Sequence, residues 1–384
     1  MKTSITYIAE PISKIINTSF TSGKYPDELK IAKVCPIFKS GEKSSMSNYR
    51  PISVLPSFSK IFEKAVHRRL SEYMDSKKIL IKNQFGFRSN HSTYMAIQDM
   101  YNKISQSIDN REYSIGIFVD LSKAFDTINH DILFCKLEHY GIRGLALQWF
   151  KDYLTNRKQY VSFNNASSSL MDITCGVPPG SILGPLLFIL YMNDIVNCSG
   201  ILYFLLFADD TNIFYSSKNH IDLMKTVNDE LHKLSEWFRA NKLSLNVNKT
   251  NYILFGNRSK ACFDSNFCIL FDNKLLERVA NTKFLGVFID EDLNWKHHTS
   301  QIALKVSRNI GVLNRVKYIL SSEILLTLYY SMIHPYFLYC NIVWGGASQI
   351  ALNSLVCLQK RMLRLISYSM YRAPSRPYSK NVVF

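Results

Sequence analysis

Three carboxylates stand where acids are expensive. Asp120 closes the apolar run SIGIFV (114–119), and Asp209-Asp210 break the apolar stretch from Ile201 to Tyr215. A charge beside Phe-Val or Leu-Phe-Ala destabilises its surroundings unless something compensates it. Taken alone, each site also reads as a turn acid at the end of a strand. Brought together, they would repel and raise one another's pKa unless divalent cations neutralised them. Two Mg²⁺ ions held there would clamp an attacking 3′-hydroxyl and a leaving pyrophosphate in an in-line displacement. That chemistry is nucleotidyl transfer.

Such a centre works on a polyanion, and the charge distribution provides for one. Lys plus Arg total 46 against 30 acids, a net of +16, which implies nucleic acid or an acidic membrane surface as partner. From Lys30 to Arg88 there are 13 basic and 4 acidic residues, and from His297 to Phe384 ten basic residues and only Glu323. The stretch between these flanks is slightly acidic. A groove that grips a phosphate backbone on both sides of a metal site would have this pattern. Solvated basic faces are the plainer alternative.

Other classes are disfavoured. The eight cysteines form no C-x-x-C pair, so neither a zinc site nor a disulfide framework is indicated, and reduced thiols in an intracellular protein are expected. The start MKTSITYIAEPISK has no apolar h-region of a secretory signal. The most hydrophobic run, Ile182 to Met192, is too short to span a bilayer and reads as core. No membrane association and no protein partner are expected. The compartment would be the nucleus or the cytoplasm.

Positioning these acids requires a sheet with helices around it. The run 114–119 reads as a strand that ends at Asp120. Ile201–Phe207 and Thr211–Tyr215 read as a hairpin with the acids at its tip, and Tyr252–Phe255 and Thr282–Ile289 as two further strands. Helical spacing puts Ile61, Ala65, Arg69 and Tyr73 in one row beside Phe62, Val66 and Leu70. A second stripe is Ile97, Met100, Tyr101, Ile104 and Ile108, and a third is Leu223, Val227, Leu231, Leu234 and Phe238. Helices near 301–318, 322–335 and 350–367 make the C-terminal part mainly helical. The fold class is α+β, with an antiparallel sheet in the middle.

The residues around the acids carry a resemblance. VDLSKAFDTINHDIL (119–133), GVPPGSILGPLLFILYMNDI (176–195) and LLFADDTNIF (205–214) are similar to the three central motifs of reverse transcriptases, most closely those of non-LTR retrotransposons of the jockey type. KVCPIFKSGEKSSMSNYRPISVLPSFSKIFEK (33–64), NQFGFRSNHST (83–93), LSLNVNKTNYILFG (243–256) and NTKFLGVFID (281–290) resemble the same family in the same order. The similarity runs over roughly residues 20 to 370.

The resemblance implies a right-hand polymerase of fingers, palm and thumb. Residues 1–110 would form an N-terminal segment and fingers, 111–296 a palm with a fingers insertion, and 297–384 a basic helical thumb. The reverse transcriptase domain itself would cover about 20–290. Asp120, Asp209 and Asp210 would hold two Mg²⁺ ions, for which Mn²⁺ could substitute. Phe125 falls where the family places an aromatic against the sugar 2′ position, which would select dNTPs; an ordinary core Phe is the alternative. Lys39 and Arg50 fall in the fingers segment that contacts the triphosphate, where a guanidinium suits phosphate oxygens. Lys249 resembles the lysine of the fourth motif, which could protonate pyrophosphate. Asp126 matches a position often acidic in the family, and helix capping near Asn129 is as compatible with it as metal chemistry.

Gly176, Pro178, Gly180 and Ser181 would shape a loop that lets template and nucleotide approach the backbone. Relatives usually carry Gln after the first proline. This chain has Pro179, which offers no side-chain hydrogen bond, so nucleotide binding is expected to weaken by ~1–3 kcal/mol if that bond is buried. In the thumb, Arg308, Arg315, Lys317, Lys360, Arg361 and Arg364 are the candidates for gripping nucleic acid.

The function implied is an RNA-directed DNA polymerase of a mobile element, with RNA template, DNA primer and dNTPs as partners. A catalytically impaired nucleic-acid-binding remnant is the alternative, to which Pro179 points. An RNA-templated RNA polymerase is a third reading, against which Phe125 argues. No endonuclease segment precedes the fingers motifs and no cysteine-histidine knuckle follows, so a partial copy of such an element is expected.

Overall fold

The computed structural model describes residues 5–256, 267–370 and 373. Cys262 and the terminal NVVF lie outside them. The first half runs α1 (Ile5–Ser22), β1 (Ile31–Phe38), β2 (Tyr49–Val54), α2 (Ser59–Ser76), α3 (Thr93–Asp109), β3 (Tyr113–Val119), α4 (His130–His139) and α5 (Gly144–Leu154). Then come β4 (Arg157–Phe163), β5 (Ala166–Ser167), β6 (Met171–Ile173), α6 (Leu183–Met192), β7 (Tyr203–Phe207), β8 (Asp210–Ser217), α7 (His220–Ala240) and β9 (Asn251–Phe255). Short strands follow: β10 (Leu270–Phe271), β11 (Lys274–Leu275), β12 (Glu277–Arg278), β13 (Asn281–Phe284) and β14 (Val287–Asp290). The C-terminal part is helical: α8 (Lys296–Val316), α9 (Ser322–Met332), α10 (His334–Leu338), α11 (Asn341–Trp344) and α12 (Gln349–Ile366).

The central sheet has the order β12-β9-β3-β8-β7. Its middle strand β3 is buried on both faces, and period-2 alternation divides its side chains between two cores. Ile115, Ile117 and Val119 join a cluster with Phe62, Leu133, Leu187, Leu231 and their neighbours on α2, α4, α6 and α7. Phe118 faces the other way, with Ile97, Met100 and Ile104 of α3 and Val306, Ile310 and Leu363 of the C-terminal helices. Each such side chain taken from water contributes about 1.5–3 kcal/mol, so the strand that ends in Asp120 is anchored from both sides. Gly116 makes the second packing possible: a Cβ there would come within 2.8 Å of both the Phe214 and Phe255 rings.

A second sheet joins distant parts of the chain. β1 pairs antiparallel with β2 and parallel with β4, and β6 pairs with β4. Residues 157–173 therefore lie against residues 31–54.

The expected helical stripes form α2, α3 and α7, and all five residues of the third stripe are buried. On α2 the buried row is Phe62, Val66 and Leu70, joined by Glu63. Within run 182–192 the helix is α6 (Leu183–Met192), every residue of which except Pro185 is buried. Among the described residues no helix is long and apolar enough to cross a membrane.

Two expectations need correction, and one element lies outside them. Thr282–Ile289 is not one strand but the hairpin β13–β14, because Leu285 and Gly286 take φ of 44° and 89° and reverse the chain. The helix expected to 335 stops at Met332, since Pro335 cannot donate the next helical hydrogen bond and opens α10 instead. Finally, α1 was not foreseen. It carries Pro11 in its interior, and packing against α5 compensates, including a 3.0 Å bond from Trp149 Nε1 to Ser19 Oγ.

Candidate active site

Asp120 follows directly on β3, and its backbone is fixed on both sides. Its N–H donates to Thr250 Oγ1 at 3.2 Å, and its carbonyl accepts the Asn246 N–H at 2.9 Å. The neighbouring strands β7 and β8 form a hairpin closed by the pair Phe207 and Asp210, so Ala208 and Asp209 make a two-residue turn. Ala208 takes φ 57°, a left-handed conformation that costs a residue other than glycine about 1–2 kcal/mol. The register of β3 on β8 ends with Val119 facing Thr211, so Asp120 and Asp210 are the next residues along it, and the charge of Asp120 acts on Asp210. The two acidic segments thus meet at one edge of the central sheet.

Their charges act on one another. Asp210 reaches solvent but is crowded by protein on its other sides. That desolvation, followed by the negative charges of Asp209 and Asp120, pushes its carboxyl up to about 6. A cation stands beside them: Lys249 Nζ lies 3.9 Å from Asp120 Oδ2. It is carried by the loop 243–250, which folds along residues 120–122 through the Leu121–Leu245 bridge and the Ser122 N–H bond to Ser244 O.

Beside the acids, Phe125 is half-buried. Its ring lies 4.5 Å from that of Phe188, and Phe87 meets it edge-on at 6.4 Å. The glycine-rich loop 176–181 packs on the same segment: Val177 N–H donates to Phe125 O and Gly176 N–H to Ile128 O. A Cβ at Gly176 would fall 2.7 Å from Asp126 O, and one at Gly180 2.8 Å from Ser53 O of β2. The loop is thereby wedged between the segment after Asp120 and the second sheet. Burial raises the Asp126 carboxyl and Lys123 opposes it. Capping of α4 falls to Asn129 itself, which accepts the Ile132 N–H, so Asp126 is not the cap.

Pro179 occupies a position that suits it. Ser181 N–H donates to Pro178 O at 3.0 Å, and Gly180 has φ 91°. Proline at the second position and glycine with positive φ at the third are the signature of a type II turn. Pro179 thus offers no side-chain hydrogen bond while its ring fits the backbone of this turn.

Sequence reasoning missed Glu63. It is fully buried, and its carboxylate accepts the Ile182 N–H at 2.6 Å, Ser59 Oγ–H at 2.8 Å and Tyr153 O–H at 3.0 Å. It therefore ties α2 and α5 to the end of the glycine-rich loop. The only signal was an acid on the apolar face of the α2 stripe.

The other expected residues are spread more widely. Lys39 and Arg50 are exposed on the β1–β2 hairpin, where Arg50 faces Ile37, and neither pairs with an acid among the described residues. Lys360, Arg361 and Arg364 line one open cleft of about 910 Å³ between α8 and α12, together with Ser300 and Ser307. Arg308 and Arg315 lie on α8 and Lys317 just past its end, and none of the three lines that cleft.

Among the described residues no three His, Cys, Asp or Glu side chains are disposed as a ready-made metal site. The donor chemistry nonetheless fits a hard divalent cation. Three carboxylates offer oxygen donors, and the charges of Asp209 and Asp120, which add to burial in raising Asp210, are what such an ion would offset.

Comparison with known proteins places the chain in a family. The family described as reverse transcriptase (RNA-dependent DNA polymerase) matches residues 39–289. The chain is 30% identical to a probable RNA-directed DNA polymerase from transposon X-element of Drosophila melanogaster, over 94% of this chain and 40% of that protein. It is 28% identical to the RNA-directed DNA polymerase from mobile element jockey of the same organism, over 97% of this chain and 41% of the relative. The chain thus spans about two fifths of the length of these relatives. Its fold resembles that of a telomerase from Candida albicans with a TM-score of 0.50 at 12% identity, covering 98% of this chain and 68% of that one. The architecture is that of a right-hand polymerase.

Proposed function

The chain belongs to the reverse transcriptase family, and from that premise we propose that it is an RNA-directed DNA polymerase of a mobile element, adding dNTPs to a primer 3′-hydroxyl. The observation that carries this reading is that Asp120, next after the Val119–Thr211 pair, ends beside the Asp209–Asp210 turn, with Asp210 pushed up to about 6.

In this reading Asp120, Asp209 and Asp210 hold the divalent cations, Mg²⁺ or Mn²⁺. Bound there, these would stabilise charge on the attacking and leaving oxygens. Lys249, beside Asp120, holds a proton for the leaving pyrophosphate. Phe125, backed by Phe188, fills the space a ribose 2′-hydroxyl would need. Pro179 and Gly180 present backbone to the nucleotide. Lys39 and Arg50 reach its phosphates from the β1–β2 hairpin. Lys360, Arg361 and Arg364 in their cleft, with Arg308, Arg315 and Lys317, hold the phosphate backbone of template and primer.

Residues 1–110 then serve as fingers, 111–296 as palm and 297–384 as thumb. The pairing of β1 with β4 supports counting residues near 157–173 as a fingers insertion.

Pro179 favours a second reading, a nucleic-acid-binding protein with impaired catalysis. Primer extension separates the two. The purified chain is given a primed RNA template, Mg²⁺ and either dNTPs or NTPs. Extension with dNTPs that Asp209→Ala abolishes supports the polymerase. Salt-sensitive RNA binding with no extension by either the native chain or Pro179→Gln supports the impaired form. Preference for NTPs overturns the role given to Phe125.

A further inference from the structure

The segment from Asn83 to Arg88 touches the Asp209–Asp210 turn directly. It lies along β7, the edge strand of the central sheet, through a parallel bridge between Gln84 and Leu206. Phe85 N–H donates to Leu206 O at 2.8 Å, Leu206 N–H to Asn83 O at 2.9 Å, and Asn83 Nδ2 to Phe204 O at 2.7 Å. The Arg88 guanidinium closes the loop by donating to Ile81 O at 2.7 Å and Gln84 O at 3.3 Å. Gly86 passes so close to the turn that a Cβ would stand 2.2 Å from the Ala208 nitrogen.

At the centre of this bracket is Gln84, 1% exposed. Its Oε1 accepts two backbone N–H groups, from Gly86 at 2.8 Å and from Ala208 at 3.2 Å. Two donors converging on one atom identify that atom as the oxygen, because an amide NH₂ there would face them with donors of its own. Its Nε2 is buried without an acceptor among the described residues.

Ala208 is the residue whose left-handed φ starts the turn carrying Asp209 and Asp210. Its N–H has no partner in the hairpin ladder, so Gln84 is what fixes its direction. We propose that Gln84 is a positioning residue for the Asp209–Asp210 turn, holding the Ala208 peptide so that the carboxylates keep their place opposite Asp120. This deepens the polymerase reading and rests on it. A displacement of about 1 Å at such a centre lowers turnover by about 10².

The test compares the native chain with Gln84→Met, which keeps the shape and removes the acceptor. Amide exchange is followed at single residues, Mn²⁺ affinity is measured by titration, and single-turnover dNTP incorporation is timed on a primed RNA template. The expected result is faster exchange at Gly86 and Ala208, with Phe85 and Leu206 still protected through their backbone partners. Mn²⁺ affinity falls, and incorporation slows by about 10²-fold with primer-template affinity unchanged. Ala208 exchanging as in the native chain overturns the proposal. So does loss of protection at all four amides together, which would make Gln84 a general packing residue. Should the native chain incorporate nothing, the polymerase reading fails, and Mn²⁺ affinity with Ala208 exchange decides the bracket separately: weaker binding and faster exchange in Gln84→Met uphold it, and no change in either overturns it.

Discussion

Lys249 Nζ stands 3.9 Å from Asp120 Oδ2, joining two motifs that are 129 positions apart in the chain. Both side chains are partly open to solvent, so the ion pair adds little to stability, about 0–1 kcal/mol. Its value lies in placement. Lys249→Ala is expected to lower single-turnover incorporation by about 10²-fold, the usual contribution of a positioned proton donor, while the melting temperature hardly moves. Rapid-quench kinetics beside calorimetry checks this; an unchanged rate would remove Lys249 from the chemistry.

Asp210 gives the protein a pH signature. Its carboxyl is raised above the value of an unfolded aspartate, so its contribution to stability is present at low pH and is lost as pH rises through about 6. Asp210→Asn should therefore raise the melting temperature near pH 7 and have little effect near pH 4. A divalent cation competes with that proton, so Mn²⁺ affinity should decline as pH falls through about 6. Equal Mn²⁺ affinity at pH 5 and pH 7.5 would contradict the assignment.

The turn at Pro179 predicts a split between binding and folding. Pro179→Gln should restore a hydrogen bond to nucleotide or template and lower the KM for dNTP by about tenfold. The same change should lower stability slightly, by about 0.4–1 kcal/mol, because a proline preset for the turn is lost. Steady-state kinetics and denaturant melts together read both effects.

Glu63 offers a contrast between charge and shape. Glu63→Gln keeps an acceptor for the Ile182 N–H, whereas Glu63→Ala leaves that N–H, Ser59 and Tyr153 without one. Arg157, fully buried, opposes Glu63 at the Tyr25 hydroxyl, whose pKa Glu63 raises and Arg157 lowers. Glu63→Ala is expected to destabilise by about 3 kcal/mol or more and Glu63→Gln by less. Chemical denaturation checks the order.

The sequence carried the strand that ends in Asp120, the hairpin tip at Asp209-Asp210 and the buried stripe of α7, because apolar periodicity is local and each had an uninterrupted run. Its limits were equally physical. Thr282–Ile289 has one continuous strand pattern, and only the backbone at Leu285 and Gly286 reveals the reversal. Glu63 and Gln84 were illegible as site residues because their partners, Ile182 and Ala208, lie more than a hundred positions away. Lys39 and Arg50 could be named only from a motif, since nothing in their own surroundings distinguishes them from solvated surface.

Everything proposed for this protein depends on Asp120 and the Asp209–Asp210 turn acting as one centre. The most direct test is single-turnover incorporation of one dNTP on an RNA-templated primer with Mg²⁺, comparing the native chain with Asp120→Asn. The native chain should incorporate measurably and the variant should lose about 10²–10³-fold or more, with primer-template binding retained. Incorporation by Asp120→Asn at the native rate would contradict this.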